Sequence, residues 1–520
     1  MNTEIYLDAN ATSPVLPAAN EAVQAAMADC FGNPSSSHAA GLRARALLED
    51  ARSRARRVLG AATGRLTFTS GATEGIQTAV LSSLCALRER RAAGLPCGDL
   101  LLYGATEHKA VPESLAHWNA LLGTGLTLQA LPVDGSGRHR LDTLRALAPR
   151  TALLCTMAAN NETGVVSDLE GIAGVLEQTR SDALWLVDCV QALGKLPLAL
   201  SRTRIDYAPF SGHKLYAPKG IGMLYVREGA PYTPLMCGGG QEAGQRSGTE
   251  NMTGIAALGA VLRALEDGST FRTPAQLHRM RERLAASLHA AFPGIEFNAS
   301  FEHALPTTLN FTVPDRSGKS LLDLFDAAGV RVSAGSACSA AQAAPSYVLL
   351  AMGLPQARCA NAVRMSFGPL VDDAFIDEAC RRIAHCAQAL LAPPPAVCPV
   401  TGSGTAPAKP AGTTVQKLLP CDLDEKGLAR FLDAHPDALL IDVREACEHA
   451  LGTPRLHGRA AYSLPLSRLP EHAAWLCRET RPLLFFCRSG NRSAEAARIA
   501  QELGHATVRH LAGGLALLTP

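Results

Sequence analysis

The sequence predicts an α/β protein with a large, mostly parallel-sheet domain, a small α+β domain, and a separate small α/β module at its carboxyl end. Strand-like and helix-like segments alternate over residues 66–188, which is typical of a sheet covered by helices on both faces. Residues 392–417 are rich in proline, glycine and alanine and have no periodicity, which predicts a linker. The first unit is therefore expected at 1–391 and the last at 418–520. Within the first unit, the large domain is expected at about 15–260. The small domain is expected to combine the amino-terminal segment with about 261–391.

Composition indicates an ordinary globular protein without a strong charge bias. The chain has 520 residues, of which 47% are hydrophobic and 18% charged, and its formal net charge is +2. This balance gives no indication of direct binding to nucleic acid or to a membrane surface. No apolar run is long enough to span a membrane, and the start of the chain shows no basic-then-apolar signal. These observations predict a cytoplasmic protein.

The 15 cysteines are scattered along the chain. No CxxC pair or Cys/His cluster has zinc-ligand spacing, so the sequence predicts neither a disulfide framework nor a metal site. Most of these cysteines are expected to be buried apolar side chains in a reducing compartment. Cys338 and Cys487 differ from the rest because their neighbours favour a reactive thiol.

The predicted elements follow one another in a regular order. Helices are expected over 17–28 and 38–59, and the arginines of the second helix are expected to form a solvated face. A strand over 66–69 stops at Ser70-Gly71 and leads into a helix from about Thr73, and such a turn presents free N–H groups that suit a phosphate. Strands then follow over 100–103, 127–131, 152–157 and 184–187, separated by helices over 109–122, 141–147 and 168–178. Further helices are expected over 255–265 and 273–291.

Polar motifs occupy the carboxyl ends of these strands, where ligands bind in parallel sheets. His108 follows one strand, Asn161 a second and Asp188 a third. Lys214 follows an apolar segment, in a compact setting that suits a buried amine. Pyridoxal phosphate requires a lysine for a Schiff base and an acid that keeps its pyridine nitrogen protonated. The alternative for residues 211–214 is an ordinary surface turn.

Two features of the predicted small domain are candidates for chemistry. Arg364 interrupts an apolar strand, and such a cation usually pairs with a carboxylate, either of the protein or of a substrate. Cys338 lies in a loop of small residues, which would let its thiol enter a pocket and leave it again. The alternative for Cys338 is a buried structural cysteine.

The carboxyl-terminal module has predicted strands over 438–441, 483–486 and 507–511 and a helix over 494–503. The loop that follows its second strand consists of Cys487, Arg488, Ser489, Gly490, Asn491 and Arg492. Backbone N–H groups of such a loop, at a helix N-terminus, stabilise a thiolate or a persulfide. Related phosphatases have one more residue between the cysteine and the arginine, so the tighter loop favours sulfur. Asp442 and Arg444, at the neighbouring strand end, either brace the loop or form a structural salt bridge.

The first 390 residues resemble the cysteine desulfurases, pyridoxal-phosphate enzymes of the class V aminotransferase group. The motifs that carry the resemblance are YLDANAT, GNPSSSH, TSGATEG, TEHKAV, NNETGVV, VDCVQALGK, SGHKLYAPKGIG, GGGQEAGQRSGTEN, SAGSACS and VRMSFG. The last module resembles a rhodanese domain through IDVRE and CRSGNRS. The resemblance implies the type I fold of PLP-dependent transferases, followed by a rhodanese-like domain with sulfurtransferase activity.

The resemblance also implies a role for each site residue. Lys214 would carry pyridoxal 5'-phosphate, Asp188 would pair with its pyridine nitrogen, and Gln191 would contact its phenolic oxygen. His108 would stack on the ring and shuttle protons. Residues that would hold the phosphate are Ala72, Thr73, Ser211 and His213, with Thr249 reaching over from the second subunit of a homodimer. Asn161 would contact the cofactor and, together with Arg364, bind the substrate carboxylate.

The implied reaction takes sulfur from L-cysteine onto Cys338 as a persulfide and releases L-alanine. Cys487 would then receive the sulfur and pass it to an acceptor protein, such as an iron–sulfur scaffold. Thiolated tRNA, molybdenum cofactor and thiamine pathways remain open as destinations. One alternative is a selenocysteine lyase, and another is a desulfurase whose last module only docks acceptors. A plain aminotransferase is least favoured, because nothing in its chemistry needs Cys338.

Overall fold

The computed structural model describes residues 4–335, 344–391, 421–452 and 454–518. Cys338 and the predicted linker at 392–417 lie outside the described residues. Within those ranges, no helix is both long and apolar enough to cross a membrane. The three larger sheets have seven, four and five strands and follow one another along the chain.

The seven-stranded sheet confirms the predicted mostly parallel architecture. The chain enters it through β1 (Ile5–Tyr6), α1 (Pro17–Asp29) and α2 (Ala39–Val58). The strands of the sheet are β2 (Arg65–Thr69), β3 (Leu100–Gly104), β4 (Thr127–Leu131), β5 (Thr151–Met157), β6 (Leu184–Asp188), β7 (Tyr207–Ser211) and β8 (Gly222–Val226). Their order is β2-β8-β7-β6-β5-β3-β4. All neighbouring pairs from β7 to β4 are parallel, whereas β8 is antiparallel to both β2 and β7.

Helices cover both faces of this sheet, which explains why its strands are so apolar. These helices are α3 (Ala72–Ala92), α4 (Ala110–Leu121), α5 (Leu141–Leu147), α6 (Leu169–Gln178) and α7 (Met252–Asp267). Successive strand side chains point to opposite faces. Leu154 and Trp185 therefore join the core that includes residues of α2 and α7, whereas Leu153 and Leu186 join the core that includes residues of α3 and α4. Burial on both faces fixes the strand register and hence the positions of the strand ends.

The small domain is an α+β unit with an antiparallel sheet. Its helices are α8 (Pro274–Ala291), α9 (Gly318–Ala327), α10 (Tyr347–Ala351), α11 (Gln356–Ala360) and α12 (Asp373–Leu391). Its strands are β9 (Glu296–Phe297), β10 (Thr308–Thr312), β11 (Val330–Arg331), β12 (Ser333–Ala334) and β13 (Val363–Ser366). The sheet order is β12-β13-β10-β9. Strand β1 pairs in parallel with β11, and Ile5 and Leu7 join the core of this domain. The amino-terminal segment thereby reaches from the small domain toward the large sheet.

The carboxyl-terminal module is built on a five-stranded parallel sheet. Its strands are β14 (Asp422–Leu423), β15 (Leu439–Asp442), β18 (Tyr462–Ser463), β19 (Leu483–Phe486) and β20 (Val508–Leu511), in the order β14-β20-β19-β15-β18. A separate hairpin pairs β16 (Arg455–Leu456) with β17 (Arg459–Ala460). The helices are α13 (Glu425–Ala434), α14 (Ala446–Ala450), α15 (Ala473–Leu476) and α16 (Asn491–Glu502). The strand β19 leads directly into the predicted cysteine loop.

Candidate active sites

A cavity of about 580 Å³ opens at the carboxyl ends of the large sheet. Predicted site residues that line it are Ala72, Thr73, His108, Asn161, Asp188, Gln191, Ser211, His213, Lys214 and Arg364. Thr249 instead lines a neighbouring cavity of about 230 Å³, which shares Ser70 and Gly220 with the first. The fold therefore gathers residues from distant parts of the sequence into one cavity.

Lys214 reaches the cavity from the short turn Gly212–Lys214, which follows β7. Its Nζ donates hydrogen bonds to the backbone oxygens of Asn10 and Ala11, both at 2.8 Å. This contact was not predicted, although Asn10 lies within a motif that supports the family resemblance. The amino-terminal segment thus holds the amine at the cavity wall.

Asp188 ends β6, and its Oδ1 accepts a hydrogen bond from the N–H of Val190 at 2.9 Å. Burial raises the pKa of the Asp188 carboxyl, and the Val190 N–H and the charges of His108 and Lys214 only partly oppose this. Burial also lowers the pKa of His108. A neutral imidazole, together with a buried acid whose charged form needs a cationic partner, suits an aromatic ring with a basic nitrogen.

A second lysine, Lys195, supports the cavity from behind and was not predicted. Its Nζ donates to Gln191 Oε1 at 2.6 Å and to Asn10 Oδ1 at 3.3 Å. Gln191 Nε2 in turn donates to the backbone oxygen of Asn10 at 3.2 Å. Burial, followed by the charges of Lys214 and Arg364, lowers the pKa of Lys195 to about 7. These contacts fix the orientation of the Gln191 amide.

The N-terminus of α3 forms an anion-binding end of the cavity. The first N–H groups of a helix have no partner within the helix, and they lie at the positive end of its dipole. Gly71 precedes α3 and has a φ of 157°. Because glycine has no side chain that could cap the helix, the N–H groups of the first turn stay available to a ligand. His213 lies nearby on the cavity wall, and burial, with the charges of Lys214 and Lys219, lowers its pKa to about 4.

Arg364 is a buried residue of the cavity wall and has a protein carboxylate as partner. Its Nη2 donates to Asp8 Oδ1 at 2.7 Å and to Ser333 Oγ at 2.8 Å. Its Nη1 donates to the backbone oxygen of Asn161 at 3.0 Å. Within the described ranges, Arg364 Nε and Asn161 Oδ1 are buried polar atoms without a hydrogen-bond partner. Unsatisfied buried groups at a cavity wall indicate a place for a polar ligand.

The residues present fit pyridoxal phosphate. The cavity combines a lysine amine, a buried acid, a neutral imidazole and an anion-binding helix end. Its volume lies within the range of about 300–1,000 Å³ that is usual for small-molecule sites.

The cysteine loop of the last module forms a second candidate site. The Gly490 N–H donates to Cys487 Sγ at 3.2 Å, and the thiol also contacts Ser493 Oγ at 3.6 Å. Gly490 has a φ of 93°, and a Cβ there would lie 2.8 Å from the backbone nitrogen of Gly513. The turn therefore requires glycine, and it aims a backbone donor at the sulfur, as the loop spacing predicted.

The charged residues around this loop are paired with one another. Arg444 and His449 both contact Asp442, at 2.8 and 2.9 Å, which favours the structural salt bridge among the alternatives left open for this pair. Glu448 contacts the loop, with its carboxylate oxygens 2.5 and 2.9 Å from the Arg492 guanidinium. Glu448 was not predicted, because a single glutamate in a short helix carries no local signal of a distant partner.

Cys421, Asp422 and His510 also lie together, with candidate ligand atoms within 4.8 Å of one another. The sequence expectation of no metal site rested on spacing along the chain, which could not show that His510 approaches Asp422. In the structure His510 Nε2 contacts Asp422 Oδ1 at 2.6 Å.

Comparison with known proteins identifies two families along the chain. Residues 5–378 match the aminotransferase class-V family, and residues 426–518 match the rhodanese-like domain. The cysteine desulfurase of Trichormus azollae is 39% identical over 376 residues, which cover 72% of this chain and 90% of the relative. The cysteine desulfurase of Cereibacter sphaeroides is 37% identical, covering 72% of this chain and 93% of that protein.

Solved structures give the same picture of the first unit. A NifS-like protein superposes with a TM-score of 0.66 at 32% identity, covering 74% of this chain and all of that one. A structure described as SspA in complex with cysteine superposes with a TM-score of 0.60 at 29% identity. It covers 71% of this chain and 99% of that one.

Proposed function

Because the chain belongs to the class-V aminotransferase family, as a PLP-dependent cysteine desulfurase followed by a rhodanese-like domain, we propose that it passes sulfur from L-cysteine through Cys338 to Cys487. The single observation that supports this relay most directly is the packing of the rhodanese-like domain on the small domain. Helix α14 contacts α9 and α12 of the small domain. Helix α9 is followed in the chain by β11 and β12, and then by the segment that contains Cys338.

Bound pyridoxal phosphate supplies an electron sink that labilises the Cα proton and the sulfur of the substrate. Lys214 is proposed to hold the cofactor and, once freed, to move the Cα proton at its Nζ. Asp188 keeps the pyridine nitrogen protonated, because pairing with a cation offsets the cost of its burial. His108, held neutral by its surroundings, can accept a proton from the substrate thiol.

Substrate orientation is assigned to Asn161 and Arg364. The Arg364 guanidinium is already held by Asp8 and Ser333, so its direction is fixed before substrate arrives. Within the part of the chain that the structure describes, its Nε and the Asn161 amide oxygen have no hydrogen-bond partner. Both residues line the cavity, so these atoms leave polar capacity for the substrate. A preorganised cation of this kind suits a carboxylate better than a mobile lysine does.

Sulfur transfer then requires a thiolate at Cys338. That thiolate attacks the substrate sulfur, the carbon–sulfur bond breaks, and L-alanine is released after protonation. Cys338 retains the sulfur as a persulfide, and no external oxidant is consumed. A homodimer in which Thr249 completes the phosphate site of the partner subunit is part of this proposal. The proposed destination of the sulfur is an iron–sulfur scaffold or another sulfur-accepting protein.

The test is a Cys487→Ala variant of the full chain, loaded with the cofactor. Alanine formation from L-cysteine should persist in this variant, whereas sulfur transfer to cyanide should be lost. Undiminished transfer would contradict the relay. Alanine formation from L-cysteine that survives Cys338→Ala would instead favour a selenocysteine lyase-like enzyme.

A further inference from the structure

The rhodanese-like domain contacts the small domain through an apolar patch and a charged patch. In the apolar patch, Cys447 and Leu451 pack against the core of the small domain, which includes Cys386 of α12. Burial, with an added contribution from Cys447, raises the pKa of the Cys386 thiol to about 12. This contact fixes α14 and the residues beside it.

In the charged patch, two aspartates of α9 face two arginines of the Cys487 loop. Arg488 Nη1 lies 3.7 Å from Asp323 Oδ1, and its Nε forms an ion pair with Asp326 Oδ2. Arg492 Nη2 lies 3.7 Å from Asp323 Oδ2. The aspartate side chains are only 14% and 15% exposed, so these contacts are partly shielded from water.

The two arginines differ in what else they contact. Arg492 is anchored within its own domain by Glu448. The ion pairs of Arg488 within the described ranges are both with α9. On the other side of the contact, Lys319 lies 2.7 Å from Asp323, and Arg331 pairs with Asp326. Lys319 and Arg331 therefore hold the two aspartates in place from within the small domain.

We propose that Asp323 and Asp326 form a docking surface that seats the Cys487 loop on α9, the helix that precedes the Cys338 segment in the chain, so that sulfur loads onto Cys487 within one chain. This inference rests on the proposed relay and adds the surface that makes it efficient. A flexible tether alone gives an effective concentration in about the millimolar range, and a docked arrangement raises it further. Asp323 and Asp326 act as positioning residues, because they contact the loop through Arg488 and Arg492.

The transfer step balances without a further reagent. The Cys487 thiolate attacks the outer sulfur of the Cys338 persulfide, the sulfur–sulfur bond on Cys338 breaks, and a new one forms on Cys487. Cys338 leaves as a thiolate and is ready for another turnover. The Gly490 N–H, which already donates to Cys487 Sγ, stabilises the attacking thiolate.

The experiment follows persulfide on Cys338 and Cys487 by peptide mass spectrometry at short times after L-cysteine is added to the cofactor-loaded full chain. In Asp323→Asn/Asp326→Asn, Cys338 should load at the wild-type rate, whereas Cys487 should load about tenfold more slowly, because charge-assisted contacts are lost. Wild-type loading of Cys487 should also slow at high salt, and the variant should have lost that dependence.

Two controls separate docking from a general loss of structure. Asp373→Asn removes an equal charge from the same domain, at an aspartate that is 78% exposed and pairs with Arg283 instead, and it should load Cys487 normally. Asp323→Asn alone leaves the Asp326–Arg331 pair intact and should give an intermediate rate. If wild-type Cys487 receives no sulfur, the relay itself is wrong. If wild-type Cys487 loads and the double variant loads equally fast at every salt concentration, only the docking surface is wrong.

Discussion

The cofactor cavity and the cysteine loop treat buried charge in opposite ways. In the cavity, burial favours the neutral forms: it raises the pKa of Asp188 and lowers that of His108. Around the loop, charges are matched. Burial alone would raise the pKa of Asp442, yet hydrogen bonds from His449 and Arg444 hold it below its usual value.

This difference follows from what each site has to bind. A cavity for a charged cofactor must leave its own groups without full partners, because the ligand supplies them. A loop that stabilises a single sulfur anion needs only one rigid turn, so its surroundings can be neutralised within the protein. Strain and polar groups without hydrogen-bond partners are therefore expected in the cavity. Most of the stabilising ion pairs are expected around the loop.

Replacing Lys214 should have the largest effect on the cavity. In Lys214→Ala, alanine formation should fall by about 10³-fold, in the range expected for a positioned proton-transfer group. Borohydride reduction should also no longer fix the cofactor to the chain. The measurement is alanine release together with the mass of the reduced protein. Lys426→Ala, at an exposed lysine of the last module, should behave as wild type, and near-normal alanine release by Lys214→Ala would refute the assignment.

Removing Glu448 should show that the loop depends on paired charge. Glu448→Gln leaves the Arg492 guanidinium without its buried partner and should destabilise the last module by about 3 kcal/mol. Thermal unfolding of the full chain measures this, while alanine formation should persist. Glu495→Gln breaks the exposed pair with Arg498 and should leave the midpoint unchanged. Equal effects of the two variants would mean that burial of the pair is unimportant.

Glu162, the residue after Asn161 in the chain, tests the effect of burial through the pH dependence of stability. Burial raises its pKa from 4.5 to about 7, although Ser346 Oγ donates to Oε2 at 2.6 Å. Between these values the folded protein holds a proton that the unfolded chain has lost. This contribution to stability is therefore full below about pH 4.5 and is lost as the pH rises through about 7.

Glu162→Gln should accordingly flatten the fall in stability between pH 5 and 8, by on the order of 2–3 kcal/mol. Denaturant unfolding of the full chain across this pH range is the measurement. An identical pH slope in both proteins would show that Glu162 is ionised throughout.

Local patterns predicted much of the fold, because amphipathic helices and buried strands leave a periodic trace in the sequence. The bounds predicted for β4 and α5 match those observed, Thr127–Leu131 and Leu141–Leu147. Strands β7 and β8 were not recognised. The residues around Pro209 and the glycines near Gly222 carry turn signals, and only pairing within the sheet makes these segments strands.

The predicted cavity residues follow strand ends or belong to motifs of the resemblance, which is why they could be named in advance. Contacts between distant segments could not be predicted in this way. The Asn10 carbonyl at Lys214, Lys195 behind Gln191, and the pairing of Arg492 with Glu448 depend on tertiary packing alone. Cys338 lies outside the described residues, so the role of its thiol stays a prediction.

The most direct test of the relay is a brief pulse of L-cysteine without reductant, followed by peptide mass spectrometry of wild type and Cys338→Ala. We predict an added sulfur on both Cys338 and Cys487 in the wild type and on neither cysteine in the variant. An added sulfur on Cys338 alone would contradict the relay and leave the rhodanese-like domain as a docking module or as a receiver from another donor.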